Sequence, residues 1–381
     1  MSFRLEPRAD ASIALRLAVS LGAGLAALIL VAIPVLSAGG NPFTAYALMV
    51  QGAFGTMFAF SETLNRATPL ILTGLAAAIA FRARLWNIGA EGQLYMGALA
   101  AVLVGSGFLQ LPAPLMIPAI MLAGFLAGGL MMVVPTVLKQ RFGADEVVIT
   151  LLLNFVVILF VQMLIEGPLK DPLAMGWPQS VPLVAEAKFD KLVPRLRMHW
   201  GLVIGLASAL LLWFMVRKTV LGFEIKAVGE NKAAARFAGI PVDKTMLKVA
   251  LISGGLAGLA GVSEVAGVKG YLSADLSPGF GYSGIVVAML AGLSPIGAVL
   301  AAFFIAAVFV GADSMSRATG ISSYIADLVV ALSLLCVLVG SFFASACAGK
   351  REPRRPEQWT SCSIFSAPPI SGPPPSASPP R

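Results

Sequence analysis

The chain has 381 residues, of which 58% are hydrophobic and 12% charged, about half the charged fraction of an ordinary soluble domain. Apolar runs long enough to cross a bilayer recur along its length, which excludes a water-soluble globule and describes one polytopic membrane unit. The formal net charge of +8 is read as basic connections that anchor orientation, with no nucleic acid as partner. Three cysteines without C-x-x-C spacing and a single histidine argue against a disulfide scaffold or a zinc site, and no metal or cofactor is expected.

Residues 1–16 carry Arg4, Arg8 and Arg16 and read as a cytoplasmic N-terminus. The apolar stretch that follows is longer than a signal-peptide core and lacks a clear cleavage site, so it is taken as a retained first helix at about 17–37. Full spans are expected at about 93–109, 114–138, 146–165, 200–216, 248–268, 295–312 and 321–343. Ala67–Phe81 and Ser283–Leu293 are too short to cross alone and are read as short or broken helices. The expectation is an all-α integral membrane protein of about ten helices over residues 17–345.

Arg82 and Arg84, Lys139 and Arg141, and the basic cluster between Arg217 and Lys248 then share one side with the N-terminus. The long connection Glu166–His199 is nearly balanced in charge, as a translocated loop can be, so both termini are placed in the cytoplasm. Each half places a short apolar segment, a glycine-containing break and a full span in succession, at Leu70–Ala101 and again at Gly279–Val310. Interrupted helices at matching positions in two halves point to a transport site, and an internal repeat is one explanation of the pattern. From residue 346 to 381 the chain turns proline- and serine-rich and is expected to be disordered. A docking segment, a neutral tail and the product of a reading-frame slip all fit that composition.

The cytoplasmic loop 217–248 encodes a short helix at Lys232–Gly239. Asn231 is a good N-cap, Ala233, Ala234 and Ala235 favour helix, and Gly239 with Pro241 form a stop. About two turns of helix are not stable alone, so a partner is expected to hold it.

Polar groups within apolar spans are costly, at about 2.5–3.5 kcal/mol for a mid-helix charge, and face protein or a water-filled path. Glu91, flanked by Asn87 and Gln93, follows the break after Phe81. These three side chains either meet a solute or hold the backbone of a turn. Glu264 borders the small-residue face Gly254, Gly258, Gly261 and serves either a buried interhelical contact or the solute. Gly279-Phe280-Gly281-Tyr282-Ser283-Gly284 matches G-x-G-x-x-G, but no strand precedes it, so a dinucleotide site is rejected. The better account is a flexible start to a short helix, with Phe280 and Tyr282 either stacking on a ring solute or anchoring at the interface. No G-x-x-x-x-G-K-[ST] loop, H-E-x-x-H or G-x-S-x-G occurs, so any ATP that drives this chain is bound by another polypeptide.

The strings Leu64-Asn65-Arg66-Ala67-Thr68-Pro69, Asn87-Ile88-Gly89-Ala90-Glu91-Gly92-Gln93, Ala227-Val228-Gly229-Glu230-Asn231 and Ser277-Pro278-Gly279-Phe280-Gly281-Tyr282 resemble the inner-membrane permeases of bacterial ABC importers. The resemblance spans roughly residues 12–345. It is to the branched-chain amino acid and ribose-type superfamily, nearest the guanosine-type nucleoside branch. It implies a non-enzymatic transport subunit for a nucleoside or simple sugar, seated in membrane lipid. The implied partners are cytoplasmic ATP-binding subunits, a second permease subunit that is the same or related, and an external solute-binding lipoprotein. It also implies that the loop helix is a coupling helix docking on the ATPase, with Gly222, Glu224, Gly229, Glu230, Asn231, Ala234, Ala235, Phe237 and Gly239 as coupling residues. Such permeases stop shortly after the last span, whereas this chain runs on past Ser345. An ion-coupled secondary transporter is the rival from another class.

Overall fold

A computed structural model of the chain describes residues 39–109 and 111–320, parts of 22–37 and 322–339, and two short strands. The strands, β1 (Arg4–Pro7) and β2 (Ala346–Gly349), pair antiparallel. Ala346–Gly349 begins the segment expected to be disordered, and residues 350–381 lie outside the described residues, as do about half of those expected to form the first and last spans.

The rest is helical. In chain order come α1 (Pro42–Phe54), α2 (Met57–Arg82), α3 (Ala90–Gly105), α4 (Ala113–Phe142), α5 (Glu146–Glu166) and α6 (Trp200–Lys218). Then follow α7 (Val220–Glu230), α8 (Lys232–Phe237), α9 (Val242–Glu264), α10 (Phe280–Leu290) and α11 (Pro295–Thr319). A π-helical turn, Val265–Lys269, extends α9. Six of these helices, counting α9 with its extension, are long and apolar enough to cross a membrane. A stretch at Ile29–Ser37 is bent by 109° from α1.

Burial sorts the long helices into layers. The apolar windows of α2 and of α9 with its extension are 89% and 83% buried, whereas those of α4, α5 and α6 are 28%, 28% and 22% buried. The first pair therefore forms the centre and the other three present most of their surface to lipid. The centre is closely packed because it is built on glycine. A Cβ added at Gly254 or Gly258 of α9 would overlap the carbonyl of Gly128 or Gly124 in α4, and one at Gly261 would overlap the Leu94 carbonyl of α3. Small residues let helix backbones approach to dispersion contact, which holds helices together where the solvent is itself apolar. On the other side α2 packs against α10 and α11, and α9 packs against α2 as well as α3 and α4.

Several sequence expectations change here. Ala67–Phe81 is the C-terminal part of the 26-residue helix α2 and is not a short helix. Glu62, Asn65 and Arg66 lower the hydropathy of its first half but sit among protein atoms, so the span is longer than its apolar run. The expected full span at 93–109 is the 16-residue α3, which with the 11-residue α10 measures about 24 and 16 Å at 1.5 Å per residue, short of the roughly 30 Å hydrocarbon core. The two short helices are thus α3 and α10. Helix α1, which begins at Asn41-Pro42 with the Asn41 side chain accepting from Phe43 N at 2.9 Å, was not anticipated. In the loop two helices stand where one was expected: α7 ends and α8 begins at Asn231, and α8 stops at Phe237.

His199 caps α6, its Nδ1 accepting from Gly201 N at 3.0 Å, and stacks on Phe189 at 6.0 Å between ring centroids. A capping acceptor must be unprotonated, and burial pushes this imidazole down to about 4. The neutral ring's contribution is complete above the unfolded-state value near pH 6.5 and is lost as pH falls toward 4. Melting curves between pH 7 and 4 should show an acid-side loss that His199→Asn, which keeps a capping oxygen, reduces. Gly258→Val should lower the melting temperature of the purified protein in detergent, at an overpacking cost of about 1–3 kcal/mol or more.

Candidate functional site

The chain leaves α2 at Arg82, turns with Leu85 N bonded to Ala80 O, and runs back into the protein to begin α3. Backbone groups of such a return segment have no helical partners and must be met by side chains. Asn87 and Gln93 form a reciprocal amide pair there, each Nδ2 or Nε2 donating to the other's oxygen at 2.9 Å. Asn87 Oδ1 also accepts from Gly89 N, and its Nδ2 donates to Ser253 Oγ, whose hydroxyl donates to Ala76 O. Asn154 of α5 supplies the other wall: Oδ1 accepts from Gly92 N at 2.8 Å and Nδ2 donates to Ile88 O at 2.9 Å.

The second return segment lies between the π-helical turn and α10. Tyr95 of α3 holds it, donating to Ala274 O at 2.7 Å. Ser277 Oγ accepts from Phe280 N at 2.9 Å and from Gly279 N at 3.2 Å, forming the start of α10. The two broken helices meet at their N-termini. Glu91, in the first turn of α3 and 3% exposed, accepts the Gly281 N–H of α10 at 2.6 Å. Gly281 is required at this junction because any Cβ would overlap the Glu91 backbone nitrogen. The Glu91 carboxyl thus supplies an acceptor where two helix N-termini present N–H groups without helical partners.

Beside the junction lies a cavity of about 220 Å³, walled by Glu62, Asn65 and Arg66 of α2, Glu264 of α9, Lys269, and the segment from Asp275 to Phe280. Arg66 pairs with Asp313 at 2.7 Å and lies 5.7 Å from the Phe309 ring centroid. Lys269 reaches Ser273 Oγ at 3.2 Å and Asp275 Oδ1 at 3.3 Å. Hydrogen bonding from Ser273 and the adjacent ammonium hold Asp275 below the usual carboxylate range. Glu62 lies 3.4 Å from Arg197.

At the end that carries α7 and α8, Asn231 Oδ1 accepts from Ala233 N and Ala234 N at 3.0 and 3.1 Å. Gly222 lies against the Met215 and Val216 carbonyls, and Gly229 against the Arg82 carbonyl so closely that a Cβ would overlap it. Glu224 Oε2 accepts from Thr245 Oγ1 at 2.9 Å, and Glu230 is exposed at 4.0 Å from Lys226. Ala235 is buried and Ala234 exposed, Gly239 has φ +81°, and Phe237 is 96% exposed. Burial lowers the Lys232 ammonium, with Lys139 adding to the shift and the Lys139-paired Glu146 opposing it.

The sequence candidates therefore separate into groups. Asn87, Glu91 and Gln93 are buried and bonded within the protein, Glu264 and Phe280 share the cavity wall, and Tyr282 is 38% exposed with its hydroxyl 3.3 Å from Asn154 Nδ2. Glu62, Asn65, Arg66, Lys269, Asn154 and Ser253 were not singled out for these positions. Glu62, Asn65 and Arg66 had a readable signal, since spacings of three and four place them on one helix face.

Long glycine-packed helices around two short ones that meet end to end define a membrane transport scaffold. Residues 59–338 match the family model described as branched-chain amino acid transport system / permease component, and the chain belongs to that family. It is 36% identical over 323 residues to the guanosine ABC transporter permease protein NupP of Bacillus subtilis, covering 84% of this chain and 91% of that one. It is 33% identical to the glucose ABC transporter permease protein TsgB13 of Haloferax volcanii, over 90% and 92% of the two chains. The nucleoside ABC transporter permease protein NupB of Lactococcus lactis is 33% identical over 81% and 86%. The chain is thus a permease subunit of an ABC importer, a multi-pass inner-membrane transport component and not an enzyme, working with ATP-binding and substrate-binding components.

Replacing Glu91 by Ala strands the buried Gly281 N–H, at a cost of about 1–3 kcal/mol. Glu91→Ala should therefore melt well below the unaltered protein, and Glu91→Gln, which keeps an acceptor oxygen, should fall between them.

Proposed function

We propose that this subunit forms half of the translocation path for a nucleoside or simple sugar, completed by a second permease subunit. An external binding lipoprotein delivers the solute and cytoplasmic ATP-binding subunits engage α8. Relatives named for guanosine, nucleoside and glucose transport support that solute class. The gathering of Arg82, Arg84, Lys139, Arg141, Arg217 and Lys226 around the α7–α8 end supports N-in and C-in placement of about ten spans. The exchange of partners, with α9 on α3 and α4 and α2 on α10 and α11, favours two inverted repeats.

One observation carries the mechanism: Gly229 sits directly on the Arg82 carbonyl, where the first return segment begins. A push on α8 reaches α7, passes to the end of α2 and moves the segment that ends in Glu91. Glu91 in turn holds the start of α10 and the floor of the cavity. ATP-driven closure of the partner then rocks the path between outward and inward access. Phe237, bare on α8, fits an apolar groove on that partner.

In the importer reconstituted in proteoliposomes, Phe237→Ala and Gly229→Leu should each cut solute-stimulated ATP hydrolysis at least tenfold while membrane insertion stays intact. Unchanged stimulation in both variants would remove the lever role.

A further inference from the structure

We propose that the cavity between α2, the end of α9 and the segment leading into α10 is the solute-recognition subsite, and that it takes an uncharged ring solute by an edge of N–H or O–H donors. The inference rests on the transport role proposed above and adds the chemistry of the contact.

Buried polar groups in folded proteins are almost always hydrogen-bonded, and an unmet one costs about 1–3 kcal/mol. Asn65 Oδ1 and Glu62 Oε2 in this wall break that rule, the second with only the Arg197 guanidinium 3.4 Å away. Asn65 is 6% exposed and its Oδ1 has no hydrogen-bond partner among the described residues. Glu264, also 6% exposed, makes no hydrogen bond or ion pair among the described residues. Protonated or not, a carboxyl group keeps an acceptor oxygen.

The cavity's cations are already committed. Arg66 is spent on Asp313 and the Phe309 ring, and Lys269 on Asp275 and Ser273. A phosphate or carboxylate would enter beside the carboxylates these cations already hold, Asp313 and Asp275, while facing Glu62 and Glu264. Neutral donors meet no such obstacle: a ring N–H and the amino group beside it on a nucleobase, or neighbouring hydroxyls of a sugar, can donate to Asn65 Oδ1 and to the Glu264 carboxyl at once. Phe280 in the same wall adds an aromatic surface for the ring. At about 220 Å³ the space is smaller than the roughly 300–1,000 Å³ of a complete small-molecule site and accommodates one ring of the solute.

The test is equilibrium binding of tritiated guanosine and tritiated ribose to the purified permease–ATPase complex without ATP, which does not depend on the lever. At least one probe should bind, and Asn65→Leu and Glu264→Leu should each weaken it tenfold or more. Asn65→Asp, which keeps the acceptor, should stay within about threefold. Guanosine 5′-monophosphate should compete at least tenfold less well than guanosine. Weaker competition by inosine assigns the contact to the base edge, and weaker competition by 2′,3′-dideoxyguanosine assigns it to the ribose hydroxyls. Because Asn65→Leu removes a buried polar atom that has no partner, its melting temperature should equal or exceed that of the unaltered protein. The proposal is overturned if neither probe binds, if both leucine variants bind as before, if the monophosphate competes equally, or if Asn65→Leu destabilises the complex. Intact binding effects alongside unchanged ATPase stimulation in Phe237→Ala and Gly229→Leu would sink the lever and leave the subsite standing.

Discussion

The architecture turns on a single contact in the interior, the Glu91 carboxylate accepting the Gly281 N–H. Two helices that begin there bring two sets of unpaired N–H groups and two partial positive charges into a region of low dielectric, where repulsion and unmet donors are both expensive. Glu91, Ser277 and Asn154 take up the backbone donors, and the glycine at 281 makes the approach sterically possible. Without that set of side chains, neither α3 nor α10 could start where it does.

The glycines of α9 solve a related problem of space. Hydrophobic burial offers little drive for helix association in lipid, so contact area between backbones must supply it. Gly254, Gly258 and Gly261 give α9 a smooth face for α3 and α4, and α4, α5 and α6 keep most of their windows turned outward. The result is a dense centre in which polar side chains are affordable, and the cavity and the junction both lie there.

Much of this was legible in the sequence. Asn231 as a cap, the tight face of α9, the shortness of α10 and the break before Glu91 all follow from local chemistry of Asn, Gly and Pro. Hydropathy alone misplaced α2 and α3, because it equates polarity with exposure. Asn65 is polar and buried, Glu62 and Arg66 are polar and half-buried, and the start of α3 is bounded by a return segment rather than by water. Asn154 and Ser253 were unreadable for another reason: their partners Gly92 and Asn87 are far away in the chain, and no spacing rule connects them. The glycine at 229 likewise looks like an ordinary helix residue until Arg82 is placed against it.

That last contact has an engineering consequence. Carbonyl against bare Cα places backbone directly on backbone where Gly229 of α7 meets Arg82 at the end of α2. Under the lever role proposed above, a stroke received by the small helix meets the end of α2 at this point through backbone, with no side chain to bend first.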